Sequence, residues 1–170
     1  MSEVKPNLPE PWLRGTLTEM PAVPRAVLHA LELAKEDLWK WCFPLTDEQL
    51  NQRPEGLASV AFQLRHIARS VDRLLTYAEG ATLSEAQLLS LRSEVEAAAK
   101  HDEVFAELET ELMRSAVRVR KLGHSDLEAP RTVGNKRLPT TLGGLLVHIA
   151  DHTQRHVGQA IIAAKLLAKR

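Results

Sequence analysis

Three histidines recur at every fourth position near the end of the chain, at 148, 152 and 156, within an apolar helical pattern. Positions i and i+4 lie on one face of an α-helix, one turn apart. Two imidazoles with this spacing can bind one metal ion, as the histidines of the H-E-x-x-H motif do. The glutamate of that motif is absent, so the spacing indicates a metal site of another class.

Only two pairs of these histidines are close enough to share an ion, because His148 and His156 are about 12 Å apart along a helix axis. The apolar stripe of the helix includes His152 and His156 and leaves His148 beside it, which favours the pair His152/His156. A third protein ligand must come from elsewhere, and His66, in the middle of another apolar helical pattern, is the first candidate. Three histidines leave one position of Zn²⁺ open, as in catalytic zinc sites.

Two further side chains could support such a site. Gln159 lies one turn beyond His156 and could orient a ligand or a water molecule, and His148 could relay a proton. Gln159 could instead serve only in helix packing. The alternative to a metal site is a helical protein in which the histidines do not come together. No Ser-His-Asp set, glycine-rich phosphate loop or paired carboxylate site stands out.

The surrounding sequence is predominantly helical. The patterns Thr46-Asp-Glu-Gln49 and Ser84-Glu-Ala-Gln87 are capping boxes, which predict the starts of two shorter helices. Residues 132–137 could form a small β-hairpin with a tight Gly-Asn turn before the last helix. The whole pattern predicts an all-α four-helix bundle with short extra helices. The predicted long helices cover about 21–43, 59–79, 94–122 and 140–170.

Composition restricts the class of protein. Prolines and Gly15 predict an extended N-terminal arm over residues 1–20, followed by a single domain over 21–170. The 22 basic and 22 acidic residues balance, which argues against a nucleic-acid partner. No apolar run suits a membrane span or a signal peptide, and the single Cys42 is expected to be a buried thiol. We therefore expect a cytoplasmic protein with no membrane partner.

Three segments of the chain resemble the DinB/YfiT-like superfamily: Leu45–Leu50 followed by Arg53-Pro54, Ser59–Ala68, and Leu138–Gln159. The resemblance implies a four-helix bundle with a three-histidine site for a divalent metal, whose ligands by matching position are His66, His152 and His156. Zn²⁺ is the default metal, with Ni²⁺, Fe²⁺ or Mn²⁺ as alternatives. Members of the superfamily are described as metal-dependent enzymes and are often homodimers.

The resemblance leaves two reactions on a small-molecule substrate open. In one, a metal-activated water hydrolyses the substrate. In the other, the enzyme is an S-transferase or isomerase, and a low-molecular-weight thiol such as bacillithiol or mycothiol binds the metal as its thiolate. The alternative outside enzymes is a dimeric helical-bundle protein that binds a metal or small ligand for sensing or structure.

Overall fold

A computed structural model describes residues 8–95 and 98–168 of the chain. The helices and strands follow each other along the chain with one hairpin before the last helix. Their bounds are α1 Ala22–Trp41, α2 Asp47–Asn51, α3 Val60–Ala78, α4 Glu85–Ser93, α5 His101–Leu122, β1 Pro130–Val133, β2 Leu138–Thr141 and α6 Leu142–Ala168.

The four long helices pack side by side in the order α1, α6, α3, α5, and α5 closes the ring against α1. Each contributes fully buried side chains to one core, among them Leu38, Leu64, Leu108 and Leu146. Burying a leucine of this kind contributes about 1.5–3 kcal/mol. The predicted all-α four-helix bundle, with short extra helices and a small hairpin, is confirmed. The arrangement places α3 directly beside α6.

Local capping fixes the start of three helices. Both predicted capping boxes form: Thr46 and Gln49 at α2, and Ser84 and Gln87 at α4, exchange side chain–backbone hydrogen bonds. The hydroxyl of Ser59 accepts a hydrogen bond from the backbone N–H of Phe62 at the start of α3. Each bond satisfies an N–H that the helix itself cannot pair.

The predicted start of the third long helix near Glu94 is wrong, since α5 begins only at His101. Ala98 has φ +64°, which a right-handed helix does not allow. The N–H of His101 donates to the carboxylate of Asp47 over 2.7 Å, so a side chain distant in sequence caps the helix. The periodicity of apolar residues around position 94 cannot predict this contact, because Asp47 is 54 residues away from His101 in the chain.

The hairpin has a longer turn than predicted. Val133 pairs with Leu138, which makes residues 134–137 a four-residue turn in place of a two-residue Gly-Asn turn. The next helix begins against the preceding loop, because the N–H of Gly143 donates to the carbonyl of Leu127 over 2.8 Å. A Cβ at position 143 would lie 3.1 Å from that carbonyl oxygen, so glycine permits the close approach.

The N-terminal arm contacts α1, and the single cysteine lies in the core. The described part of the predicted arm contains one turn of 3-10 helix, Pro11–Leu13, and Arg14 pairs with Glu36 of α1. Cys42 is fully buried, and its burial, aided by the charge of Asp37, raises its pKa to about 12. Such a thiol is not a nucleophile at neutral pH. Within residues 8–95 and 98–168, none of the helices combines the length and apolarity of a membrane span.

Candidate metal centre

The packing of α3 against α6 brings three imidazoles together. His66 of α3 and His152 and His156 of α6, hereafter the histidine cluster, each offer a nitrogen within 4.8 Å of the other two. Their ring centroids are 4.3–5.0 Å apart. These are the three residues that the sequence analysis selected, and their role as metal ligands remains a prediction.

A buried carboxylate orients the first histidine. The Nδ1–H of His66 donates to Oε2 of Glu94 over 2.8 Å, and the guanidinium of Arg73 donates to Oε1 of the same carboxylate over 2.5 Å. The Glu94 side chain is only 4% exposed. Burial acts to raise the pKa of Glu94, but the hydrogen bonds from His66 and Arg73 outweigh it and hold this pKa below its ordinary value. Glu94 is therefore ionised and fixes the tautomer of His66.

Polar partners also occupy Nδ1 of the other two rings. The Nδ1–H of His156 donates to Oε1 of Gln63 over 2.7 Å, and the amide of Gln63 donates to Oε1 of Gln159 over 3.1 Å. Nδ1 of His152 lies 3.5 Å from the hydroxyl of Ser70. With Nδ1 engaged in each ring, Nε2 is the nitrogen available to a metal.

The spacing of the nitrogens fits a small divalent cation. Nε2 of His66 is 3.2 Å from Nε2 of His152. Two nitrogens bound at 2.0–2.1 Å to a tetrahedral ion are about 3.3 Å apart, so the two rings need little adjustment. Imidazole nitrogens suit Zn²⁺, Ni²⁺ and Fe²⁺.

Burial and neighbouring positive groups keep the imidazoles of His152 and His156 neutral. Burial lowers the pKa of His152 to about 4, and the neighbouring rings of His156 and His66 contribute to the shift. Burial, with His66 and Arg155 nearby, also lowers the pKa of His156 to about 4. Both rings are therefore unprotonated at pH 7, the state in which imidazole binds a metal.

The two predicted supporting residues have different positions. Gln159 is linked to the cluster through Gln63, whose amide donates to it. The side chain of His148 is 47% exposed, and its ring centroid is 5.4 Å from that of His152, outside the cluster.

Four polar residues that contact the cluster or its partners were not predicted from the sequence. Gln63 could have been found, since it lies three residues before His66 and therefore on the same face of α3. No local pattern identifies Glu94, because its position depends on how the α4–α5 connection meets α3. The four are Gln63, Ser70, Arg73 and Glu94.

A cleft of about 290 Å³, hereafter the side cleft, adjoins the cluster. Glu94 and Phe62 line it, and both also contact His66; the ring of Phe62 stacks on the imidazole with centroids 5.4 Å apart. The volume is at the lower end of the range for small-molecule sites, about 300–1,000 Å³. A small molecule in the side cleft would therefore lie close to the histidine cluster.

Comparison with known proteins agrees with this architecture. The family profile described as the DinB superfamily matches residues 30–160. Among solved structures, YfiT from Bacillus subtilis is similar over 84% of this chain and 86% of its own, with 17% sequence identity and a TM-score of 0.62. YfiT is described as "a probable metal-dependent hydrolase with an unusual four-helix bundle topology". At this identity the likeness concerns the fold. No curated protein matches the chain significantly.

Proposed function

The chain belongs to the DinB superfamily, and on this premise we propose that it is a divalent-metal-dependent enzyme whose metal is held by His66, His152 and His156. Zn²⁺ is the default metal. The observation that carries the proposal is the convergence of three imidazoles whose Nδ1 atoms are each engaged elsewhere. Proteins orient metal-binding histidines in this way, through a hydrogen bond at the nitrogen that does not bind the metal.

Each part of the site has a distinct task in this proposal. When bound, a divalent cation held by the three imidazoles would keep coordination positions open and would there lower the pKa of a water or thiol and polarise a carbonyl. Glu94 and Gln63 hold the rings of His66 and His156 in the orientation that leaves Nε2 available. The side cleft supplies space for a substrate beside the cluster. A sealed, purely structural metal site would need no such space.

Hydrolysis is the first candidate reaction, and the description of YfiT supports it. Thiol transfer is the second. Glu94, the carboxylate that contacts the cluster, already accepts hydrogen bonds from His66 and Arg73 and is poorly placed to take a further proton. A thiol that coordinates a metal is deprotonated outright, whereas a metal-bound water keeps a pKa of about 7 and gains more from a protein base, so this observation favours the thiol-dependent reaction.

Metal content tests the ligand set. We expect the purified protein to bind about one Zn²⁺ or Ni²⁺ per chain. His66→Ala should lose most of this metal, because two ligands from α6 alone hold an ion weakly. His148→Ala is the matched control and should retain it, since His148 lies outside the cluster. If elemental analysis finds as much metal in the His66→Ala variant as in the unaltered protein, His66 is not a ligand of the site.

Turnover distinguishes the reactions. Metal-stripped and metal-restored protein should be assayed against panels of esters and amides and against thiol-conjugation substrates. We expect activity in one panel only after metal is restored. Activity that survives complete removal of the metal would overturn both versions. Metal binding without turnover of any panel would support the non-enzymatic alternative.

A further inference from the structure

The side cleft is lined by an arginine, Arg53, that forms no ion pair with the described carboxylates. Arg53 is exposed at its rim and has no carboxylate partner within residues 8–95 and 98–168. Many other arginines of the chain are paired with a carboxylate within 4 Å. Those with such a pair include Arg14, Arg69, Arg73, Arg118 and Arg155.

The carboxylate in the side cleft does not offset this charge. Glu94 is paired with Arg73 and hydrogen-bonded to His66, and 96% of its side-chain surface is buried, since only 4% is exposed. The cleft also lies at the N-terminus of the 19-residue helix α3, where the helix dipole adds positive potential. A dication on three neutral imidazoles would add to it. The side cleft is thus suited to a negatively charged group.

The remaining wall of the side cleft is apolar. Phe62 lines it beside Ala58, and Val95 lines it with 77% of its surface exposed. Asn51, which also lines the cleft, exchanges two hydrogen bonds with the backbone of Ala99, at 2.8 and 2.9 Å. An apolar group that covers Phe62 and Val95 would gain about 25 cal/mol for each Å² removed from water.

Resting on the proposed metal-dependent function, we propose that the side cleft binds the substrate and that the substrate is a small anion with an apolar body. Arg53 pairs with its negative group, and Phe62 and Val95 contact its apolar part. The cleft volume of about 290 Å³ restricts the substrate to a compact molecule, such as an aromatic or branched carboxylic acid derivative. Arg53 then selects the substrate and takes no part in the chemical step.

Binding of matched probes tests this proposal. Hydrocinnamate carries a carboxylate on an apolar body, hydrocinnamamide is its neutral analogue, and propionate lacks the aromatic ring. We expect the protein to bind hydrocinnamate at least about 10-fold more tightly than either of the others. Affinities are measured by calorimetry or ligand-observed NMR on both metal-free and Zn²⁺-loaded protein. The measurement on metal-free protein tests anion binding in the side cleft whether or not the histidine cluster binds a metal. The proposal of a metal-dependent enzyme and the proposal of an anion site can therefore be contradicted independently.

Substitutions identify the group that recognises the anion. Arg53→Gln should weaken hydrocinnamate about 10–100-fold and leave hydrocinnamamide unchanged, the effect of losing a hydrogen bond to a charged group. Arg53→Lys should retain part of the affinity. Arg137→Gln, at an arginine that lines a different cleft, is the control and should have no effect. Because Arg53 is exposed, its variants are expected to fold, which thermal unfolding checks.

Three results would overturn the proposal. One is equal affinity for hydrocinnamate and hydrocinnamamide. Another is an Arg53→Gln variant that binds hydrocinnamate as tightly as the unaltered protein in both metal states, which would place the anion on the metal or elsewhere. The last is the absence of measurable hydrocinnamate binding at millimolar concentration.

Discussion

The three histidines of the cluster have three different partners at Nδ1: a carboxylate, an amide and a hydroxyl. The carboxylate is the strongest acceptor, so the hydrogen bond that orients His66 is the strongest of the three. The pair of Glu94 and Arg73 keeps this acceptor ionised although it is buried. At the residue scale, His66 and Glu94 therefore act as one unit.

The effect of Glu94 on metal affinity can be measured with the substitution Glu94→Gln. The substitution keeps the shape of the side chain but removes the charge that holds the tautomer of His66. We expect Zn²⁺ affinity to fall about 10–100-fold, as for other losses of a residue that orients a metal ligand. Competition with a chelator measures the affinity. Glu107→Gln is the control, because Glu107 pairs with Arg69 and does not contact His66. Unchanged affinity in Glu94→Gln would show that Glu94 has no such role.

Polar contacts position two of the helices beside the site. The α4 helix has no buried residue, and Arg69 of α3 holds its end by donating to the Ser90 carbonyl and the Ser93 hydroxyl, each over 3.0 Å. Where α3 meets α5, Arg118 pairs with Asp72 over 2.7 Å. Glu111 of α5 lies near the same aspartate, and the guanidinium of Arg114 is 3.8 Å from its carboxylate. Burial, followed by repulsion from Asp72, raises the pKa of Glu111 to about 7.

A pH-dependent stability follows for α5. The pKa of Glu111 in the folded state, about 7, exceeds the ordinary value of 4.5 that applies when unfolded. Between pH 4.5 and 7 the unfolded chain loses this proton first, so the contribution of Glu111 to folding becomes less favourable as pH rises. Glu111→Gln should raise the free energy of unfolding at pH 8 by on the order of 1–3 kcal/mol and much less at pH 4.5.

Denaturant titration at both pH values measures this difference. Glu103→Gln, at an exposed position of the same helix, is the control and should give no stabilisation at either pH. A Glu111→Gln variant with the same pH profile as the unaltered protein would contradict the expectation.

At the scale of the whole molecule, the histidine cluster joins two helices that the chain separates widely. His66 and His152 are 86 residues apart in sequence, and α3 and α6 also meet through the hydrogen bonds of Gln63 and through apolar side chains. An ion bound to both helices would stabilise the folded state and not the unfolded state, because the unfolded chain does not keep the three rings together.

Thermal unfolding should therefore depend on the metal. Zn²⁺ at 100 times its Kd should add about 2.7 kcal/mol, which for a domain of this size raises Tm by roughly 5–10 °C. Mg²⁺, which prefers oxygen ligands, should not change Tm. The His66→Ala variant should lose the Zn²⁺ effect. A Zn²⁺ shift that persists in this variant would place the stabilising ion elsewhere.

Features that depend on residues close together in the chain could be predicted from the sequence. Helical periodicity predicted the long helices, the capping boxes at Thr46 and Ser84 predicted the starts of two short ones, and the four-residue spacing placed His152 and His156 on one face. His66 was the first candidate for the third ligand because it lies in the middle of another helix, and the family resemblance implied the same residue; no local pattern relates it to α6.

Contacts between segments far apart in the chain became apparent only in the folded protein. The cap from Asp47 to His101 moved the start of α5, and the approach of Glu94 to His66 gave the cluster its carboxylate. Arg53 became a candidate for anion binding only once packing had placed it in the same cleft as Phe62 and Val95. Helix periodicity and capping arise from bonds within a few residues, whereas these contacts depend on how helices pack across the bundle, which local sequence does not specify.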